Sequence, residues 1–201
     1  MAEPPPRALV LASASPFRRR MLEAAGLDFE VVPAAIDEPA VKARLGVLPP
    51  PALARALARA KAEEVSARCP DALVIGADQV LALGEEIMSK PASIAEARAQ
   101  LLRLRARTHS LHTAVALALS GKIVWDQYDA ANLTMRAFSE AFLDGYLAAS
   151  GEGVCRMVGA YEVEGRGVQL FERIEGDTFT IIGLPLVPLL AELRARGIIA
   201  T

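Results

Sequence analysis

Between Ala72 and Leu83 the chain runs for twelve residues with one charged side chain, Asp78. An apolar run of this kind, bounded by polar residues, is the pattern of a buried strand. A carboxylate there is either a turn cap or a placed functional group. Six uncharged residues precede it, which predicts Asp78 at the end of an apolar strand, where ligands and catalytic groups collect in α/β folds. A lysine, Lys90, comes twelve residues later. Pro91 follows it and forces an extended or turn backbone at Lys90.

A second apolar run lies about 60 residues earlier. Ala8–Ala12 reads as a strand that runs into Ser13, Ser15 and Pro16, then Arg18, Arg19 and Arg20. Ser15 is placed to cap a helix with Pro16 in its first turn, and Gly26 ends that helix. A helix start with hydroxyls and an arginine is an anion cradle. It also reads as a plain capped helix with a solvated basic face. Arg19 and Arg20 are assigned to the surface.

The remaining periodicities predict a strand at Phe29–Val32 and a loop from Asp37 through the Pro49–Pro51 cluster. An Ala-rich helix follows over Ala52–Arg68, then a helix capped by Ser93 with Glu96 in the capping box. Thr108–Leu119 and Ile123–Arg136 alternate about Ser120-Gly121-Lys122 and predict a hairpin. Ser139–Ala149 reads as a helix. Gly159–Val163, Val168–Arg173 and Phe179–Ile182 read as short strands, and Pro185 opens a last helix to about Arg196. Interleaved helices and strands with one hairpin predict an α/β fold with a mixed sheet.

Bulk properties limit the function classes. At 201 residues, with 53% hydrophobic and 23% charged side chains, the chain can bury a core. One domain over 7–201 is expected, behind a disordered Pro-rich leader at 1–6. A net charge of −2 gives no global drive toward nucleic acid or membrane, so any phosphate site is local. Cys69 and Cys155 are too few for a disulfide scaffold and read as buried free thiols. No signal peptide or apolar span is apparent, which predicts a cytoplasmic protein.

Lys61, on the Ala-rich helix, is either a phosphate ligand or part of a solvated face. Asp37 and Glu38 read as solvated loop acids. Yet Mg²⁺ on a nucleotide needs only one or two carboxylates, and Glu38 with Asp78 meets that count. His109 and His112 fall on opposite faces of a strand, against a His–His metal site. A P-loop is absent, and Gly165-Arg166-Gly167 lacks the helix that a dinucleotide site needs.

Taken together, these segments resemble the Maf-type nucleotide pyrophosphatases (septum-formation inhibitor type). The resemblance spans about residues 8–198. It is carried by Leu11-Ala-Ser13-x-Ser15-Pro16-x-Arg18 through Leu22, by Asp37-Glu38 and by Leu57-Ala-Arg-Ala-Lys61. Ile75-Gly-Ala-Asp78, Lys90-Pro91, Gly159-Ala-Tyr161 and Gly183-Leu-Pro185 complete it. It implies a Maf/ITPase-like α/β fold, an elongated mixed sheet flanked by helices with a cleft between two lobes, and often a homodimer. It implies hydrolysis of a nucleoside triphosphate to monophosphate and pyrophosphate with Mg²⁺ or Mn²⁺, limiting incorporation of non-standard nucleotides. By the same resemblance Asp78 is catalytic, Glu38 and Asp78 hold the metal, and Ser13, Ser15, Arg18, Lys61, Lys90, Gln79 and Glu164 bind substrate. Phe17, Gln79 and Glu164 resemble the branch acting on 7-methyl-GTP, whereas Gly159-Ala-Tyr161 leans toward the thymidine and uridine branch. The rival reading is a non-catalytic nucleotide-binding regulator of cell division.

Overall fold

The computed structural model describes residues 8–200. The chain folds as β1 (Ala8–Leu11), α1 (Pro16–Ala24), β2 (Glu30–Val31), α2 (Glu38–Leu45), α3 (Pro50–Arg68), β3 (Ala72–Leu83), β4 (Glu86–Met88), α4 (Ile94–Leu104), β5 (Thr108–Leu119), β6 (Lys122–Met135), α5 (Glu140–Ser150), β7 (Phe171–Glu175), α6 (Thr178–Ile182) and α7 (Leu186–Ala195). Three 3₁₀ segments lie between α5 and β7. The strands form one mixed sheet in the order β2-β1-β3-β5-β6-β7, with β4 also on β3. The predicted α/β class with a mixed sheet is what is found. The leader predicted at 1–6 lies outside the described residues.

The chain divides into two compact units. The first comprises residues up to Gln79, Thr113–Asp129 and the segment from Gly183 onward. The second comprises Val80–His112 and Ala130–Ile182.

In the first unit, β1 is the hinge of the local order. It pairs in parallel with β2 and with Ala72–Ile75 of β3. Its residues Val10 and Ala12 pack with Val65, Ala72 and Val74 in a small apolar core. Helix α3 closes onto β3 at Gly76. A side chain there would stand 2.3 Å from the Ala58 carbonyl oxygen and 2.6 Å from the Ala62 nitrogen. Only a residue without Cβ permits that approach. The β5–β6 turn is fastened by Ser66 Oγ, which accepts from Gly121 N–H at 3.0 Å, and by Ser120 Oγ donating to Pro70 O at 2.9 Å.

In the second unit the core gathers Leu81, Leu101, Leu111, Leu133, Phe138 and Leu170 among others, all at most 1% exposed. Ser93 Oγ accepts from Glu96 N–H at 3.2 Å, and the Glu96 carboxylate accepts from Ala92 N–H at 2.8 Å. Arg98 ties α4 to Glu140 and Asp144 of α5.

Several expectations need correction. Asp37 does not open a loop: its side chain accepts from Ala40 N–H and caps α2, with Glu38 and Pro39 in the first turn. Phe179–Ile182 is helical because Asp177 Oδ1 accepts from Thr180 N–H at 2.9 Å and starts a turn. Gly159 and its neighbours form 3₁₀ turns, and Val168–Arg173 is a 3₁₀ segment to Leu170 before the strand begins at Phe171. Cys69 and Cys155 are free but only half-buried.

Candidate active site

Asp78 lies inside the twelve-residue β3, not at its end. The reason is in the neighbours. The β1 pairing runs through Ile75 and the β4 pairing starts at Leu81, so Asp78 falls between the two registers. Asp78 is 8% exposed.

Residues Gly76 and Asp78 share one face of β3, since side chains alternate. That is the face on which α3 closes. The close approach at Gly76 sets Lys61, next to Ala62 on α3, opposite Asp78. Lys61 Nζ donates to Asp78 Oδ1 at 2.6 Å and pairs with Glu38 Oε1 at 2.7 Å. The solvated-face reading of Lys61 is therefore replaced: its side chain is 13% exposed. Glu38 reaches it from the first turn of α2, where an acid also suits the helix dipole.

The hydroxyl-rich turn is organised around Arg18. Ser15 Oγ caps α1 by accepting from Arg18 N–H at 3.4 Å. The Arg18 guanidinium donates from Nη1 to Ser13 Oγ at 3.1 Å and from Nε to the Gly183 carbonyl at 2.8 Å. Ser13 Oγ also accepts from Ser15 N–H at 3.2 Å. With both lone pairs engaged, the Ser13 hydroxyl is left to act as a donor. Burial pushes the Arg18 guanidinium below its usual value, and the charges of Asp78 and Glu38 pull the other way. Arg19, by contrast, pairs with Glu23 on the exposed side of α1.

Gln79 Nε2 donates to Thr113 Oγ1 at 3.0 Å, and Thr113 is fully buried. Thus Ser13, Ser15, Arg18, Glu38, Lys61, Asp78 and Gln79 all belong to the first unit. Lys90 and Glu164 belong to the second, each exposed in a loop. Thr113 and the Gly183 carbonyl were not read as site groups from the sequence. Thr113 carries no local signal; Gly183 stood only within a C-terminal signature.

The donor set suits a hard cation. Two carboxylate oxygens converge on one ammonium, the arrangement that a divalent ion with oxygen ligands also accepts. Among the described residues no three His, Cys, Asp or Glu side chains gather at metal-binding spacing, so phosphate oxygens and water would complete the shell. His109 and His112 take no part: they bond to Tyr161 and Ser110 respectively.

The model of the family described as Maf-like protein matches residues 8–196. A protein of Mesorhizobium japonicum named 7-methyl-GTP pyrophosphatase is 53% identical over 194 residues, covering 95% of this chain and 97% of its own length. One of Rhizobium johnstonii with the same name is 51% identical over 193 residues, with 95% and 97% covered. A protein of Bradyrhizobium diazoefficiens named nucleoside triphosphate pyrophosphatase is 52% identical over 192 residues, with 96% and 95% covered. With a family match across nearly all described residues and half of the positions identical in these relatives, the chain belongs to the Maf-like protein family.

Proposed function

We propose that this chain is a nucleoside triphosphate pyrophosphatase that releases a nucleoside monophosphate and pyrophosphate. The observation that carries the reading is Lys61 Nζ held between Asp78 Oδ1 and Glu38 Oε1, beside an arginine fixed by Ser13. Acids and bases are brought together in one largely buried place, where the close approach of α3 at Gly76 sets Lys61 against Asp78. The names of the relatives support the same activity.

The chemistry follows from these groups. Arg18 and the Ser13 hydroxyl bind phosphate oxygens at the N-terminus of α1. Lys61 holds the Asp78 carboxylate in place through Oδ1 and adds positive charge for the polyphosphate. The second oxygen of Asp78 takes the proton of a water as that water bonds to the α-phosphorus. The α–β bridging bond breaks, and its electron pair leaves on pyrophosphate. When bound by Glu38 and Asp78, Mg²⁺ or Mn²⁺ supplies Lewis-acid neutralisation of the phosphates. Lys90 is assigned a further phosphate contact on the strength of the family resemblance.

For the base we favour 7-methyl-GTP. Phe17, Gln79 and Glu164 resemble that branch, against the lean of Gly159-Ala-Tyr161, and two of the relatives carry that name. A glutamate accepts from the N1–H and amino group of a guanine and repels the carbonyl edge of uracil or thymine. The test is kcat/KM for 7-methyl-GTP, GTP, dTTP and UTP on one preparation, with Mg²⁺, Mn²⁺ or chelator. Pyrophosphate release that needs the cation, with 7-methyl-GTP best, is expected. Nucleotide binding without release would favour the regulator instead. Release with dTTP and UTP best would leave the enzyme and overturn the base.

A further inference from the structure

We infer that Gly183 is the positioning residue for Arg18, and that its bare α-carbon keeps open the space between Arg18 and Gln79 where substrate phosphate enters. The inference rests on the proposed reading of Arg18 as a phosphate ligand. Three observations carry it. The Gly183 carbonyl accepts from Arg18 Nε–H at 2.8 Å, across 165 residues of sequence. Ser13 Oγ accepts from Nη1 at 3.1 Å, so two acceptors fix the guanidinium plane. A planar fork with Nε and Nη1 engaged retains Nη2 as its donor for an anion. Finally, a Cβ at residue 183 would lie 3.7 Å from Arg18 Nε, 3.8 Å from Nη2 and 4.0 Å from Gln79 Nε2. Those distances are ordinary contacts, so a methyl group there would clash with nothing. It would instead occupy the ground beside the donor that Arg18 has left.

The backbone adds a second reason for glycine. Gly183 has φ of +124°, which a residue with Cβ adopts only under strain. Any relaxation of that strain moves the carbonyl that holds Nε. Gly183→Ala therefore acts on Arg18 twice, through the displaced acceptor and through the added methyl. Loss of alignment at a single charged contact is enough to lower turnover by about 10-fold or more.

The experiment is a double-mutant cycle on nucleotide hydrolysis with Gly183→Ala, Arg18→Ala and both together. Gly183→Ala is expected to lower kcat/KM about 10-fold or more in the wild-type background and to do nothing further where Arg18 is already absent. An equal loss in both backgrounds would mean that Gly183 is merely structural and would overturn the inference, while the reading of Arg18 would stand on the Arg18→Ala loss. Wild-type turnover in Arg18→Ala would sink the inference together with the reading of Arg18. Should Gly183→Ala not fold, the unmodified protein answers the same question by NMR. The Arg18 Nε–H signal, assigned with Arg18→Lys, should exchange with solvent at least ~10-fold slower than those of exposed arginines. Fast exchange would overturn the inference.

Discussion

Each unit of the molecule holds one polar cluster that can be set against the other's, and the two are built differently. In the first unit, charge is set against charge: Lys61 bridges Asp78 and Glu38, and Arg18 lies in their field. In the second, the buried polar pair is neutral. His109 Nε2 and Tyr161 Oη lie 2.7 Å apart, with Phe171 edge-on to the tyrosine ring at 4.8 Å. Burial pushes His109 down to about 4 and Tyr161 far above its ordinary value. A neutral pair inside aromatic rings gives a core a polar bond without a charge to solvate. A cluster of ions is a costlier choice for stability alone, since apolar residues commonly do as well. The difference sets a neutral buried pair against a charged cluster, and the charged cluster is the one to which the proposed function gives the chemistry.

That contrast can be broken most forcefully at Lys61. Lys61→Met keeps the length and removes the charge. It should lower kcat/KM by at least ~100-fold through loss of a preorganised charge. If turnover survives and only the melting temperature falls, the cluster is structural after all. Next comes the approach that builds the cluster. Gly76→Ala puts a methyl 2.3 Å from the Ala58 carbonyl oxygen, so α3 must move. The expected cost is about 1–3 kcal/mol in urea unfolding, with turnover falling alongside. Unchanged stability would contradict the close packing.

The second unit has its own test. His109 has a folded value below its unfolded one, so the neutral form is favoured in the fold. Its contribution is fully present above about pH 6.5 and is lost as pH falls toward about 4. The loss from His109 should be on the order of 3 kcal/mol, and His112, which burial also lowers, adds a separate loss in the same direction. His109→Gln should flatten unfolding free energy over that window. A slope as steep as the wild type's would assign acid sensitivity to other groups. The smallest effect is expected at Arg19, whose pair with Glu23 is exposed. Arg19→Ala should leave turnover unchanged and stability within about 0.5 kcal/mol. Equal losses at Arg18 and Arg19 would reduce the cradle to diffuse charge.

Much of the fold could be read from local chemistry. Ser15 before Pro16 and Ser93 with Glu96 each announced a helix start by a cap that the structure shows accepting the expected N–H. β3 and the β5–β6 hairpin were legible from apolar runs and a turn. The failures also have local causes. Asp37-Glu38-Pro39 carries a cap and an early proline, yet the proline-rich stretch behind it argued for a loop. Thr178–Ile182 is β-branched and aromatic, and one aspartate cap outweighed that preference. The site was legible as a set of residue types but not as an arrangement. Lys61 and Asp78 are 17 residues apart and Arg18 and Gly183 are 165 apart, so their bonds exist only once α3 and the segment from Gly183 are in place. No spacing rule foretells Thr113, a buried hydroxyl that meets Gln79 across strands.

The central claim is that the carboxylate on β3 does the chemistry, and Asp78→Asn tests it most directly. Asparagine keeps the shape and a hydrogen-bond acceptor for Lys61 but takes no proton from water at neutral pH. The measurement is single-turnover pyrophosphate release from 7-methyl-GTP, alongside circular dichroism and nucleotide binding on the same sample. A folded protein that still binds nucleotide and releases pyrophosphate at background rate is the predicted result. Near-wild-type release from folded Asp78→Asn would contradict the account.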